Sequence, residues 1–179
     1  SRTGVEMRRF TWTSALTFVA AIIVTTPLYA GKVNDLFNNG IFSVSWGANI
    51  TAVKEKYPGG NTSEQYGMTT YRVNDDRTIV GIKRNPDNYI DYTFDSKNTL
   101  SFVKIQFTPS NDGDLSKLFP KLDEVFGADW YQPNKLNRTI AWPKDNNILV
   151  FFTPVSSDEH TLMIRAIQES EETKKDLGF

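Results

Sequence analysis

The chain has 179 residues, with 20 basic and 21 acidic side chains, a single histidine and no cysteine. The missing cysteines exclude disulfides, thiolate metal sites, a cysteine nucleophile and the lipidated cysteine of a bacterial lipoprotein. The near balance of charge leaves no basic footprint for nucleic acid or an anionic membrane surface.

The first thirty residues read as an export signal. Met7-Arg8-Arg9 opens a basic stretch, residues 15–24 are an almost unbroken apolar run, and Thr25-Thr26-Pro27 breaks it before Ala30. That order is an n-region, an h-region and a small-residue cleavage site. The run is too short for a membrane-spanning helix, which needs about twenty apolar residues. Cleavage is expected after Ala30, although Leu28 is bulky for the position three before the cut; an uncleaved anchor is the alternative. Residues 1–6 precede the first methionine and fit no targeting logic, so Met7 is the expected start. Arg8-Arg9 raises the twin-arginine route, but Phe10-Thr11-Trp12 does not extend that pattern and general secretion is favoured. An exported domain without cysteine points to a bacterial protein, periplasmic or secreted, with nothing to hold it in a membrane once the signal is cut. Residues 31–179 carry 17 basic and 20 acidic side chains, a net of about −3, and residues 31–168 form one domain. That length buries a core without metal or disulfide.

In chain order, Phe42, Val44 and Trp46 alternate, which predicts a strand ending at Gly47. A short helix follows, capped by Asn49, with Ile50, Val53 and Tyr57 on one side, and Pro58-Gly59-Gly60 stops it. Residues 66–73 and 77–84 read as two strands around the turn Asn74-Asp75-Asp76. Residues 89–94 and 100–107 read as two more around Asp95-Ser96-Lys97-Asn98. In the last of these Val103, Ile105 and Phe107 face one way and Lys104 and Gln106 the other, so one side of the sheet is wet or lightly covered. A second helix takes Leu115, Leu118, Phe119, Leu122, Val125 and Phe126 as its apolar stripe and stops at Gly127. Pro120 places its start near Ser116 or predicts a kink. Strands over 138–142, 148–153 and 161–167 complete the set, with Pro143 and Pro154 as boundaries. Residues 169–179 are a polar tail.

These elements predict an α+β fold: one antiparallel sheet with two helices packed on one face, built as a tandem helix-plus-strands repeat. The run Phe42-x-Val44-x-Trp46-Gly47, then Val53-Lys54 and Tyr57-Pro58 and antiparallel hairpins, resembles the opening of small bacterial envelope domains with a helix packed on a sheet. Such families are the outer-membrane-assembly lipoproteins and the secreted β-lactamase inhibitor proteins, the latter with a tandem repeat of the unit. The chain departs from the first by lacking the lipidated cysteine and from the second by lacking disulfides. The resemblance implies a binding role without catalysis.

The chemical inventory is thin. His160 lies in a polar connection without partners at ligand or triad spacing, which predicts a solvated surface residue. Asp75, Asp76, Asp91, Asp95, Asp112 and Asp114 leave carboxylate chemistry open, but nearly all lie in turn-like stretches, where turn formation explains them and Asp114 suits a helix cap. Asn111-Asp112-Gly113-Asp114 lacks the distal glutamate of a calcium loop, and Gly59-Gly60 ends a helix where a phosphate cradle would begin one. No cofactor and no metal site is expected. Of the aromatic residues Trp46, Trp130, Tyr131 and Trp142, the pair Trp130-Tyr131 is the candidate binding surface, because it falls in a loop between Gly127 and Pro133. The expected function is non-catalytic binding of an envelope or secreted protein through a sheet edge or face. The alternatives are a carboxylate-based hydrolase, marked by an acid-bearing cleft, and a small-ligand carrier, marked by an apolar pocket between sheet and helices.

Overall fold

The computed structural model describes residues 32–108 and 114–167. The predicted signal segment, residues 109–113 and the polar tail lie outside them. Helix α1 (Lys32–Phe37) leads into a tight hairpin, β1 (Gly40–Ile41) and β2 (Val44–Ser45), and then helix α2 (Ile50–Lys56). Four strands follow: β3 (Asn61–Gln65), β4 (Met68–Asn74), β5 (Tyr89–Phe94) and β6 (Leu100–Phe107). A 3-10 turn (Leu115–Lys117) enters helix α3 (Leu118–Phe126), which is followed by β7 (Tyr131–Asn134), β8 (Thr139–Asp145), β9 (Ile148–Pro154) and β10 (His160–Ala166).

Strands β3 to β10 make one antiparallel sheet in the order β3-β4-β5-β6-β10-β9-β8-β7. Each half is therefore a helix followed by a four-stranded meander, and the halves join through their last strands. At that seam Val103 lies opposite Ile164 and Ile105 opposite Leu162. The inward residues of β5, β6, β9 and β10 pack under Val53 of α2 and Leu118, Leu122 and Phe126 of α3, all buried in one core. Full burial of each such aliphatic or aromatic side chain contributes roughly 1.5–3 kcal/mol.

Geometry explains why two helices do not suffice. Eight strands spaced about 4.8 Å apart span about 34 Å, whereas a helix covers only about 10 Å. Helix α1, the β1–β2 hairpin and a loop over residues 75–88 fill what remains, and Val33, Ile41, Val44 and Ile82 join the core.

Local signals act as their chemistry dictates. Asn49 Oδ1 accepts the Ala52 N–H at 2.9 Å and caps α2, an interaction worth about 1 kcal/mol. Asp114 accepts from Ser116 N at 3.0 Å and caps the 3-10 turn. Lys117 is the N-cap of α3, so Pro120 sits in the first turn, where its missing N–H would have had no intrahelical partner. Gly127 ends α3 at φ 98°, a conformation that disfavours any side chain.

Several expected elements differ. The strand through Phe42 folds back on itself, because Phe42 and Ser43 have φ of 51° and 58° and form the β1–β2 turn. The expected strand over 77–84 is absent: Val80 and Gly81 turn the chain at positive φ, and only Ile79 and Ile82 pair. The hairpin is one strand earlier, β3 with β4 around Tyr66-Gly67. Residues 131–134, read as loop, form the edge strand β7. Pro143 lies inside β8, at a register shift between Trp142 and Asp145, instead of ending it.

Candidate functional site

The three described helices and the core lie on one face of the sheet, so the register of the strands determines what the other face shows. Directly opposed residues share a face, and one row can be followed across all eight strands: Asn61, Arg72, Asp91, Lys104, Met163, Phe151, Ala141 and Tyr131. A neighbouring row runs Ser63, Thr70, Thr93, Phe102, Arg165, Leu149. This outer face divides chemically at the seam.

In the N-terminal half it is polar and ion-paired. Asp91 is 3% exposed, although it lies on the outer face, because long neighbours lie over it. Arg72 binds it through two donors, Nε to Oδ1 at 2.7 Å and Nη2 to Oδ2 at 2.9 Å, and Lys104 Nζ approaches Oδ2 at 3.1 Å. The Arg72 guanidinium also lies 3.5 Å from the centroid of the Tyr89 ring. The Asp91 hydrogen bond raises the Arg72 pKa against a smaller opposing effect of burial. Thr70 and Thr93 hydroxyls pair at 3.1 Å in the next row.

The C-terminal half carries Leu149, Phe151 and Met163, with Phe102 beside the seam. All four are partly buried by their neighbours, yet none packs against the core on the other side. Tyr131, 47% exposed, ends this row on β7.

Trp130 and Tyr131 both stay accessible, at 39% and 47%, but do not form one surface. Tyr131 opposes Ala141 on the outer face, while Trp130 meets Phe119 of α3 edge-on at 5.4 Å on the helix side. The other two tryptophans are structural. Trp142 is buried and donates Nε1–H to the Gly127 carbonyl at 2.8 Å, and Trp46 donates to the Phe37 carbonyl at 2.6 Å. His160 opens β10 half-buried, its ring edge-on to Phe152 at 5.4 Å; strand pairing has drawn it inward from the solvated position expected.

Each described aspartate of the sequence list whose contacts are resolved has a local partner. Asp95 accepts Lys97 N and Thr99 N at 2.9 and 3.0 Å and closes the β5–β6 turn. Asp75 is half-buried between the partly exposed Arg77 and the buried Arg84: Arg77 Nε reaches it at 2.7 Å and Arg84 Nη1 at 3.0 Å. Burial by itself would raise the Asp75 carboxyl; hydrogen bonds from the Arg77 side chain and backbone, with the Arg84 charge, outweigh burial and hold it below the usual carboxylate range. The Arg84 side chain is fully buried, and burial lowers its guanidinium despite the nearby Asp75 charge. It also donates to the Gln106 and Tyr89 carbonyls at 2.7 and 3.0 Å, tying the 75–88 loop to the sheet. Asp112 lies outside the described residues.

On the helix side, at the seam, is a cavity of about 200 Å³. Ile105, Leu162 and Ile164 of β6 and β10 form its floor, and α1, the β1–β2 turn, the Ile79-Val80 tip and the end of α3 form its walls. Every lining residue is apolar. A larger, polar groove of about 610 Å³ lies between α2 and the β3–β4 turn and includes Lys54, Glu64 and Asp95.

Comparison of the chain with protein-family models, with curated proteins and with solved structures gave no match. Sequence reasoning located Trp130 and Tyr131 but missed the outer-face cluster, whose signal was the lack of alternation in Ile148-Leu149-Val150-Phe151-Phe152: apolar residues on both faces of one strand.

Among the described residues no group of three or more His, Asp or Glu side chains is placed to hold a metal ion, and no helix is long and apolar enough to cross a membrane.

Proposed function

We propose that this chain is an exported, non-catalytic binding protein of the bacterial periplasm or extracellular space that takes a protein partner on the outer face of its sheet. The observation that carries the reading is the cluster of Phe102, Leu149, Phe151 and Met163, which faces away from the core and, among the described residues, has no helix over it. An antiparallel sheet with one solvated face normally turns polar residues to water. An apolar cluster bordered by Arg72, Asp91 and Lys104, with Arg165 set between Phe102 and Leu149, has the mixed apolar and charged character of a protein interface. Tyr131 extends that cluster to the sheet edge, and this includes half of the aromatic pair expected from sequence.

Three of the aspartates lack the character of a catalytic acid. A carboxylate hydrolase needs one carboxyl raised as the acid, whereas Asp75, Asp95 and Asp114 are all lowered. Export is supported by the order of basic, apolar and small residues up to Ala30.

The test is a pull-down from bacterial envelope extract with the mature chain and with the outer-face variant Phe151→Glu/Met163→Glu. Proteins retained by the first and lost with the second support the proposal. Identical recovery with both, or nothing above background with either, refutes it.

A further inference from the structure

The seam cavity has a use that outer-face binding does not absorb. It lies between the two helix-plus-strands units, and its walls come from four separate segments. Ile105, Leu162 and Ile164 give it a floor almost closed to solvent. Leu36, 51% exposed, stands at its edge and marks the side on which it opens.

Two wall residues stand in a backbone conformation that their side chains resist. Phe42 has φ 51° and Val80 φ 46°, each at the first central position of a two-residue turn where Asn, Asp or Gly is the usual occupant. A β-branched residue at such a φ is an outlier, and outliers of this kind gather at ligand clamps because surrounding packing must hold them. In both turns the strained position places a large apolar side chain against the same cavity.

The occupant follows from size and lining. An apolar cavity of roughly 150 Å³ lined by Leu, Ile and Phe stays dry and takes benzene, so about 200 Å³ suits one ring with a small substituent or an aliphatic group of similar bulk. Among the described residues no polar side chain lines it to receive a charge, and burying an unpaired carboxylate there would be prohibitive. We propose that the seam cavity is a binding site for one small, uncharged apolar group, clasped between the two units by the Phe42 and Val80 turns. This stands independently of the outer-face reading, and the two sites lie on opposite sides of the sheet.

The test uses toluene as probe and benzoate as its charged counterpart, read by methyl resonances of the full chain in carbon–proton correlation spectra. Toluene should shift the methyls of Val80, Val125, Leu162 and Ile164 saturably, while Leu149 and Met163 on the outer face stay still. Benzoate should bind at least tenfold more weakly. Val125→Phe fills the cavity from α3 and should abolish the shifts; Leu36→Trp, at an exposed position that folding tolerates, narrows the opening and should weaken toluene at least tenfold. Unmoved methyls at saturating toluene, equal binding of benzoate, or undiminished binding by both folded variants overturns the proposal.

Discussion

Asp75→Ala tests whether a desolvated cation is held in the loop that connects β4 to β5. The Asp75 side chain is 11% exposed and that of Arg84 is fully buried. In the variant Arg84 keeps its carbonyl acceptors on Gln106, Tyr89 and Arg77 at 2.7, 3.0 and 3.5 Å but loses its hydrogen-bonded carboxylate. Removing one partner of a buried ion pair costs roughly 3–5 kcal/mol, because the remaining charge stays buried without compensation. Against a total stability of about 5–15 kcal/mol, that is enough to lower the urea midpoint severely. Arg77, whose side chain is 34% exposed, sets the contrast: Arg77→Met removes a charge-assisted contact that water partly replaces, at about 1.5–3 kcal/mol or less. The assay is urea unfolding followed by tryptophan fluorescence. Asp75→Ala should cost at least about 3 kcal/mol, and adding Arg84→Met should return part of the loss, since neither charge then remains alone. A cost under about 1 kcal/mol for Asp75→Ala, or additivity in the double variant, refutes the idea that Arg84 depends on this carboxylate.

The same network predicts an acid limb. The Asp75 and Asp95 carboxyls are lowered in the fold, so their contribution is present above the unfolded carboxylate value of about 3.9 and is lost as pH falls through the lower folded values. Unfolding midpoints should therefore drop below about pH 4, and Asp75→Asn should flatten that dependence; an unchanged acid profile contradicts the assignment. Gly60→Ala should destabilise by about 1–3 kcal/mol through overpacking, since an added Cβ would stand 2.4 Å from the Arg72 carbonyl and 2.6 Å from the Tyr71 ring, which is itself fixed by hydrogen bonds to Gly60 and Tyr57. A neutral result in thermal melts shows that the ring can shift. Pro120→Ala should change stability by less than about 1 kcal/mol, unlike the roughly 3 kcal/mol of an interior helix proline; a large effect in either direction places Pro120 outside the first turn.

How much of this was legible depended on whether an element touches the core. Strands β5 and β6 follow the sequence reading closely because Ile90, Tyr92, Phe94, Val103, Ile105 and Phe107 alternate into the core, and the burial that fixes them is the burial that the pattern records. Strand β3 is Asn-Thr-Ser-Glu-Gln, exposed throughout, and β7 is Tyr-Gln-Pro-Asn, also exposed. Both are held by main-chain pairing with a neighbour that the sequence cannot name. The segment over 77–84 failed in the other direction. Ile79, Val80 and Ile82 have strand-like composition, but Val80 adopts the positive φ that composition disfavours, and the chain turns where a strand was expected.

The outer face was legible in principle, through a conflict between two levels of the sequence. Helices drawn from the apolar periodicity cover a single face, so each strand should alternate, and β4, β5 and β6 largely do: Arg72, Asp91, Thr93, Lys104 and Gln106 turn away from the core. Strand β9 does not. Leu149 and Phe151 are as apolar as Val150 and Phe152, and Met163 repeats the pattern in β10. The core on the helix side does not include these positions. A pattern that one-sided packing does not require implies a second packing requirement, and in the described chain nothing on that side meets it. The break in alternation in β9 and β10, more than Trp130-Tyr131 in what read as a loop, is therefore the sequence feature on which the proposed interaction face rests. If the proposed binding role holds, the partner is expected on the C-terminal half of the sheet, with the Arg72–Asp91–Lys104 cluster as its rim.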